Sequence, residues 1–171
     1  DDEGAAAAAA LFRRALASSG GGKRPLWKEG PRATIVDFWA SWCGPCLYEL
    51  PQLQALHDRL GERGLEIVLV NVDLDGPRPV GQFLAGRGIG LDSLVDRDGA
   101  TFQELGLQAL PSMFLLDASG RPVQSYVGAS PAERLEIPRG LGRVAQGRAD
   151  LADAVVQAAV EVDERLLVPD R

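Results

Sequence analysis

Leu65 to Val72, LEIVLVNV, is nearly unbroken in apolar residues, a pattern that suits a parallel strand covered on both faces. Ala33 to Ala40 is also apolar, β-branched at several positions, and predicts a second buried strand. Between them, Pro45 to Leu60 carries Leu50, Leu53, Leu56 and Leu60 at helical spacing. Strand, tight turn, helix and strand in that order predict a central α/β sheet. Pro51 falls inside the helix, where it removes a backbone donor and should kink the axis.

Downstream the pattern predicts a helix near Val80 to Gly88, a short strand near Ser93 to Val95, and a turn at Asp96 to Gly99 leading into a helical ATFQELG. PSMFLLD and RPVQSYVG flank Ala118-Ser119-Gly120 and read as an antiparallel hairpin. A last helix is expected over Asp150 to Leu166, with Leu151, Val155, Ala158, Val162 and Leu166 on the stripe that would cover the sheet. Ser130 to Gly147, rich in Gly, Arg and Pro, matches no regular pattern. At the other end Ala5 to Ser18 holds strong helix formers and runs into Ser18 to Gly22, which reads as a flexible joint. The expected organisation is an N-terminal helix and flexible linker over residues 1–24, followed by one domain over 25–171.

The chain has 171 residues, 46% of them hydrophobic and 25% charged, which fits one globular domain with a real core. Its net charge of −6 is modest and its Lys and Arg residues are scattered, unlike the basic stripe that nucleic acid requires. Nucleic acid is therefore not expected as a ligand. Ala5 to Phe12 is too short to span a bilayer, and Asp1-Asp2-Glu3 is the wrong flank for a signal peptide, so the stretch given is expected to be soluble. The sequence begins without Met, as a processed or trimmed product would, and a signal or anchor upstream would not be visible in it.

The only two cysteines, Cys43 and Cys46, lie within VDFWASWCGPCLYELP. A closed zinc site needs about four Cys or His ligands, and this chain offers one Cys-x-x-Cys and one histidine, His57. No metal site is expected. His57 lies about three turns beyond the motif by helical rise and is expected to face solvent. A structural disulfide between residues three apart closes a very small loop and constrains the unfolded chain little. A reactive dithiol is the better account. With the helix starting just after Cys43, that sulfur faces the unpaired N–H groups and positive dipole end of the first turn, which favour thiolate. Cys43 is thus the expected nucleophile, and Cys46, one turn deeper, the resolving thiol. Asp37 shares a strand face with Ile35 and Trp39, and burial there should raise its pKa.

VDFWASWCGPC resembles the active-site signature of the thioredoxin superfamily, and the resemblance runs in order from about Ala33 to Gly128. It takes in Pro51, the strand IVLVNVD, and GLDSLVDRDGATFQELGLQALPSMFLLDASGRPV with its Pro111. The block between that strand and Pro111 is similar to the central insertion of TlpA-like and ResA-like thiol-disulfide reductases. The resemblance implies a thioredoxin-like α/β fold, a central mixed sheet flanked by helices, and no cofactor beyond the redox-active Cys43–Cys46 pair. It implies that Pro111 is the cis-proline facing the dithiol and that Asp37 assists proton transfer to Cys46. It also implies that Glu49 influences thiol ionisation, with a solvated helix glutamate as the alternative, and that Trp42, Gly44, Pro45, Leu110 and Pro111 form the substrate-binding rim. Ser112 stands where relatives often carry Thr.

Gly44 and Pro45 are also the intervening residues of thioredoxin, whose potential is about −270 mV against about −120 mV for a strong dithiol oxidant, so a reductant is expected. The implied partners are a disulfide-bearing protein substrate and a membrane protein that donates electrons. The implied location is extracytoplasmic, in the periplasm, with any membrane attachment through an anchor outside this chain and a cytoplasmic location as the alternative. Cytochrome c maturation and repair of oxidised cysteines are both compatible tasks, although the acidic active-site insert of a dedicated haem-maturation reductase is absent. A disulfide isomerase or oxidase on the same fold, or a binding or chaperone-like module without turnover, are the alternatives. Relatives commonly have a hairpin before the first core strand, for which SSGGGKRPLWKEGPRA offers little room.

Overall fold

The structure, a computed structural model, describes residues 2–127. The expectations for 130–147 and 150–166 lie outside the described residues. Strand β3, Ala33–Trp39, is buried along its whole length. It is followed by α2, Gly44–Leu60, and by β4, Leu65–Asn71, which pairs with β3 in parallel from Ala33 opposite Leu65 to Trp39 opposite Asn71. The two strands read as continuous apolar runs because both of their faces are covered.

The sheet has five strands in the order β5-β4-β3-β6-β7. Here β5 is Ser93–Val95, parallel to β4, while β6, Ser112–Leu116, runs antiparallel to β3 and pairs in turn with β7, Pro122–Val127. Helix α3, Pro77–Gly86, and the short α4, Ala100–Glu104, lie on either side of β5 in the chain. Helix α3 starts three residues before the expected Val80, because Pro77 occupies a first-turn position where its missing N–H has no partner to lose.

Strand parity divides the core. Ile35 and Trp39 on β3 pack with Leu50, Leu53 and Leu56 of α2 and Val80 and Leu84 of α3. Val36 and Phe38 point the other way, toward Phe12, Leu26 and Trp27. Each such side chain, when fully buried, contributes about 1.5 to 3 kcal/mol.

That second face corrects the reading of the N-terminus. The helix α1 spans Asp2–Phe12 and stops well before Ser18, and the chain then forms a hairpin of β1, Ala15–Ala17, with β2, Lys23–Pro25. The glycines of Ser18 to Gly22 serve its turn: Gly21 and Gly22 adopt φ of 106° and 67°, which only glycine enters at little cost. Ser18 N–H donates to Gly22 O at 2.9 Å and Gly21 N–H to Ser18 O at 3.0 Å. The turn is docked as well, since Ser19 N–H donates to Ser93 O at 2.9 Å and Ser93 N–H to Ser19 Oγ at 2.8 Å. A flexible joint is therefore the wrong description of these residues, and a hairpin before β3 does form, because its first strand is drawn from Ala15–Ala17, ahead of the stretch that offered little room for one. The expected boundary at residue 24 falls inside β2.

Candidate active site

Strand β3 ends at Trp39, and the chain turns through Ala40, Ser41 and Trp42 into α2. The turn closes where Cys43 N–H donates to Ala40 O at 3.2 Å. Cys43 is the N-cap of α2, with extended φ and ψ of −87° and 101°, and its Sγ accepts the Cys46 N–H at 3.3 Å. The sulfur thus occupies the place that a Ser or Asp oxygen takes at an ordinary helix start. Negative charge is favoured there by the unpaired amides and by the helix dipole, which is the physical condition for a stabilised thiolate.

Cys46 lies one turn into the helix and is fully buried, while Cys43 is 4% exposed. The two are joined as a disulfide with Cα atoms 5.2 Å apart. Beside them Trp42 is 71% exposed, whereas Trp39 is buried and donates its indole N–H to Ser93 Oγ at 3.0 Å. The two tryptophans therefore divide, Trp39 holding the core at the end of β3 and Trp42, in the turn beyond it, standing in solvent next to Cys43 in the chain. Gly44 is exposed and Pro45 half-buried.

Asp37 is fully buried, and by strand parity faces the α2 side of the sheet with Ile35 and Trp39. Neither carboxylate oxygen has a hydrogen-bond partner among the described residues. Burial, and secondarily the charge of Glu49, hold its carboxyl well above the ordinary carboxylate range. Glu49 is 9% exposed on the inner side of α2, so it is not a solvated helix glutamate. The structure brings Asp37 and Glu49 within electrostatic reach of each other, on the face that also carries Cys46.

The Leu110–Pro111 peptide bond is cis. In the β3/β6 ladder Asp37 stands opposite Met113 and Phe38 opposite Ser112. Continuing that register brings Pro111 level with Trp39, at the strand end from which the Cys43 turn departs. Leu110 packs against the core cluster that contains both cysteines. Ser112 is buried and its hydroxyl donates to Ala109 O at 2.6 Å, bridging across Leu110 and Pro111.

His57 is exposed on α2. Among the described residues no group of three or more His, Cys, Asp or Glu side chains is arranged to hold a metal ion, and no helix is long and apolar enough to cross a membrane. One residue was missed by sequence reasoning. Asp73, in the loop after β4, accepts the Ser41 N–H at 2.9 Å and the Ser41 hydroxyl as well. The available signal was an acidic residue just past the carboxyl end of a parallel strand, where α/β sheets gather their functional loops.

The Redoxin family model matches residues 26–139. Thiol-disulfide oxidoreductase ResA of Bacillus thuringiensis subsp. konkukian is 29% identical over 105 residues, covering 61% of this chain and 60% of the relative. Sporulation thiol-disulfide oxidoreductase A of Bacillus subtilis is 30% identical over 105 residues, covering 60% of this chain and 64% of the relative. The chain therefore spans less than two thirds of the length of either. A solved structure from Chlorobium tepidum, named for the thiol:disulfide interchange protein DsbE, superposes with a TM-score of 0.68 at 26% identity. It covers 87% of this chain and 92% of its own, and the fold is thioredoxin-like.

Proposed function

The chain belongs to the Redoxin family, in the ResA-like branch of the thioredoxin superfamily, and on that premise we propose that it is a thiol-disulfide oxidoreductase that reduces disulfides in proteins. The observation that carries this reading is the Cys43–Cys46 pair astride the first turn of α2, with the outer sulfur capping the helix.

In the reduced enzyme the Cys43 thiolate attacks one sulfur of the target disulfide. A Cys43–target bond forms, and the other target sulfur leaves as a thiolate that takes up a proton. Cys46, deprotonated, then attacks Cys43 Sγ, forms the intramolecular disulfide and expels the second target sulfur. Two electrons pass to the target, and the Cys43–Cys46 disulfide remains to be reduced by a dithiol donor. Asp37 is the acid-base group for Cys46, since burial raises the proton affinity of its carboxyl and so equips it to hold a proton and pass it to or from a neighbouring thiol. Glu49 adds negative charge to the same pocket and supports that raised affinity. Trp42, Gly44, Pro45, Leu110 and Pro111 form the rim against which a target polypeptide lies.

The reading extends to an extracytoplasmic setting in which a membrane protein supplies the electrons, with maturation of cytochrome c or repair of oxidised cysteines as the tasks. Gly44 and Pro45 between the cysteines support the reducing direction. The test is turnover of insulin disulfides together with equilibration against a glutathione buffer. A potential of about −270 mV supports a reductant, and one of about −120 mV reverses the assignment.

A further inference from the structure

The carboxyl ends of β3 and β4 lie side by side, with Trp39 opposite Asn71. Their following loops are tied by a chain of hydrogen bonds that begins in the core. Asn71 is fully buried and its carbonyl accepts the Asp96 N–H at 2.8 Å. Its side chain organises the next loop: Oδ1 accepts from Asp73 N–H at 3.1 Å and Leu74 N–H at 2.7 Å, and Nδ2 donates to Asp73 Oδ1 at 2.9 Å. So oriented, the Asp73 carboxylate reaches across to β3's loop and takes both donors of Ser41, the N–H on Oδ1 and the hydroxyl on Oδ2.

Ser41 is the second residue of the turn that closes between Ala40 O and Cys43 N–H. Its two successors are the exposed Trp42 and the capping Cys43. A turn of four residues held only by its own closing bond can rotate about its central peptides. Two further bonds to the central Ser41 remove that freedom, and Asn71 removes the corresponding freedom of Asp73.

We propose that Asp73 is a positioning residue for disulfide exchange: it clamps Ser41 and so sets the turn that presents Trp42 and Cys43 to a polypeptide partner. It touches neither the target nor the reacting sulfurs. The clamp rests on the reading of the site as a protein disulfide reductase. Because a bound polypeptide must meet Trp42 and Cys43 together, the effect falls on productive binding, in KM more than in kcat.

The test is steady-state reduction of insulin disulfides, with dithiothreitol as terminal reductant, on the full chain. Asp73→Ala is expected to lower kcat/KM about tenfold, chiefly by raising KM. Asp73→Asn keeps an acceptor for Ser41 N–H and is expected to recover activity to within about threefold of the parent. Ser41→Ala, which removes only the hydroxyl, is expected to cost about two- to threefold, and the double variant Ser41→Ala with Asp73→Ala is expected to be no worse than Asp73→Ala. Asp75→Ala removes a nearby negative charge, paired with Arg97, without touching the clamp, and is expected to match the parent. Parent activity in Asp73→Ala, independent addition of the Ser41 and Asp73 effects, or an Asp73→Asn as impaired as Asp73→Ala would each overturn the clamp while leaving the reductase reading standing. A parent chain unable to reduce insulin would remove that reading, and the clamp with it.

Discussion

Cys43 Sγ accepts the backbone N–H of Cys46 at 3.3 Å, so the sulfur that begins the helix is also bonded to the residue that carries its partner sulfur. The same contact serves two states. In the disulfide it accompanies the covalent bond, and in the dithiol it would favour the anion on Cys43, because a charged acceptor makes the stronger hydrogen bond.

Cys43→Ser should abolish insulin reduction, a fall of at least about a thousandfold, since the hydroxyl is no substitute nucleophile at neutral pH. Cys46→Ala should leave the first attack intact and strand targets on Cys43. Mass spectrometry of adducts from an oxidised protein mixture checks this, and absence of covalent adducts under conditions where the parent turns over would exclude Cys43 as the attacking group.

Asp37→Asn should stabilise the fold relative to the parent at any pH where the buried carboxyl must ionise, because a group without hydrogen-bond partners is replaced by an isostere that never acquires charge. The sign follows from linkage: the folded carboxyl has the raised pKa, so the native state binds more protons than the unfolded state above the ordinary Asp range. Stability in the parent therefore falls as pH rises from that range through the folded pKa. The variant should lose that slope in urea titrations across pH, while its thiol exchange at Cys46 slows by about tenfold or more. A parent and variant with parallel pH profiles would remove Asp37 from both roles.

Trp42→Ala should lower kcat/KM for a polypeptide disulfide by about three- to tenfold and shift stability by no more than about 0.5 kcal/mol. The side chain is 71% exposed, so truncation opens no cavity. Comparing thermal midpoints with insulin kinetics separates the two effects. A large loss of stability would place the indole in packing contacts rather than on the rim.

Phe12→Ala should cost about 3 to 5 kcal/mol in chemical denaturation. Phe12 is fully buried and meets Phe114 of β6 edge to face, with ring centroids 5.2 Å apart. Trp27 N–H also donates to Phe12 O at 2.8 Å, tying the end of α1 to the chain that enters β3. An N-terminal segment that hung freely would lose nothing on this change, and an unchanged midpoint would restore the linker description.

The sequence by itself determined the elements whose signal is local. The apolar runs of β3 and β4 and the leucine spacing of α2 each match one period, and their order places Cys43 at a strand-to-helix turn. Asp37 could be read as buried because its neighbours on β3 are apolar on both faces. Only the tertiary structure decided the role of Ser18 to Gly22, because glycine serves a docked turn and a loose linker equally well, and the bonds that distinguish them run to Ser93, far along the chain. It likewise decided that Glu49 faces inward and that Asp73 holds Ser41. Those facts depend on which loops and faces meet across the sheet, and no periodicity within one segment encodes its neighbour.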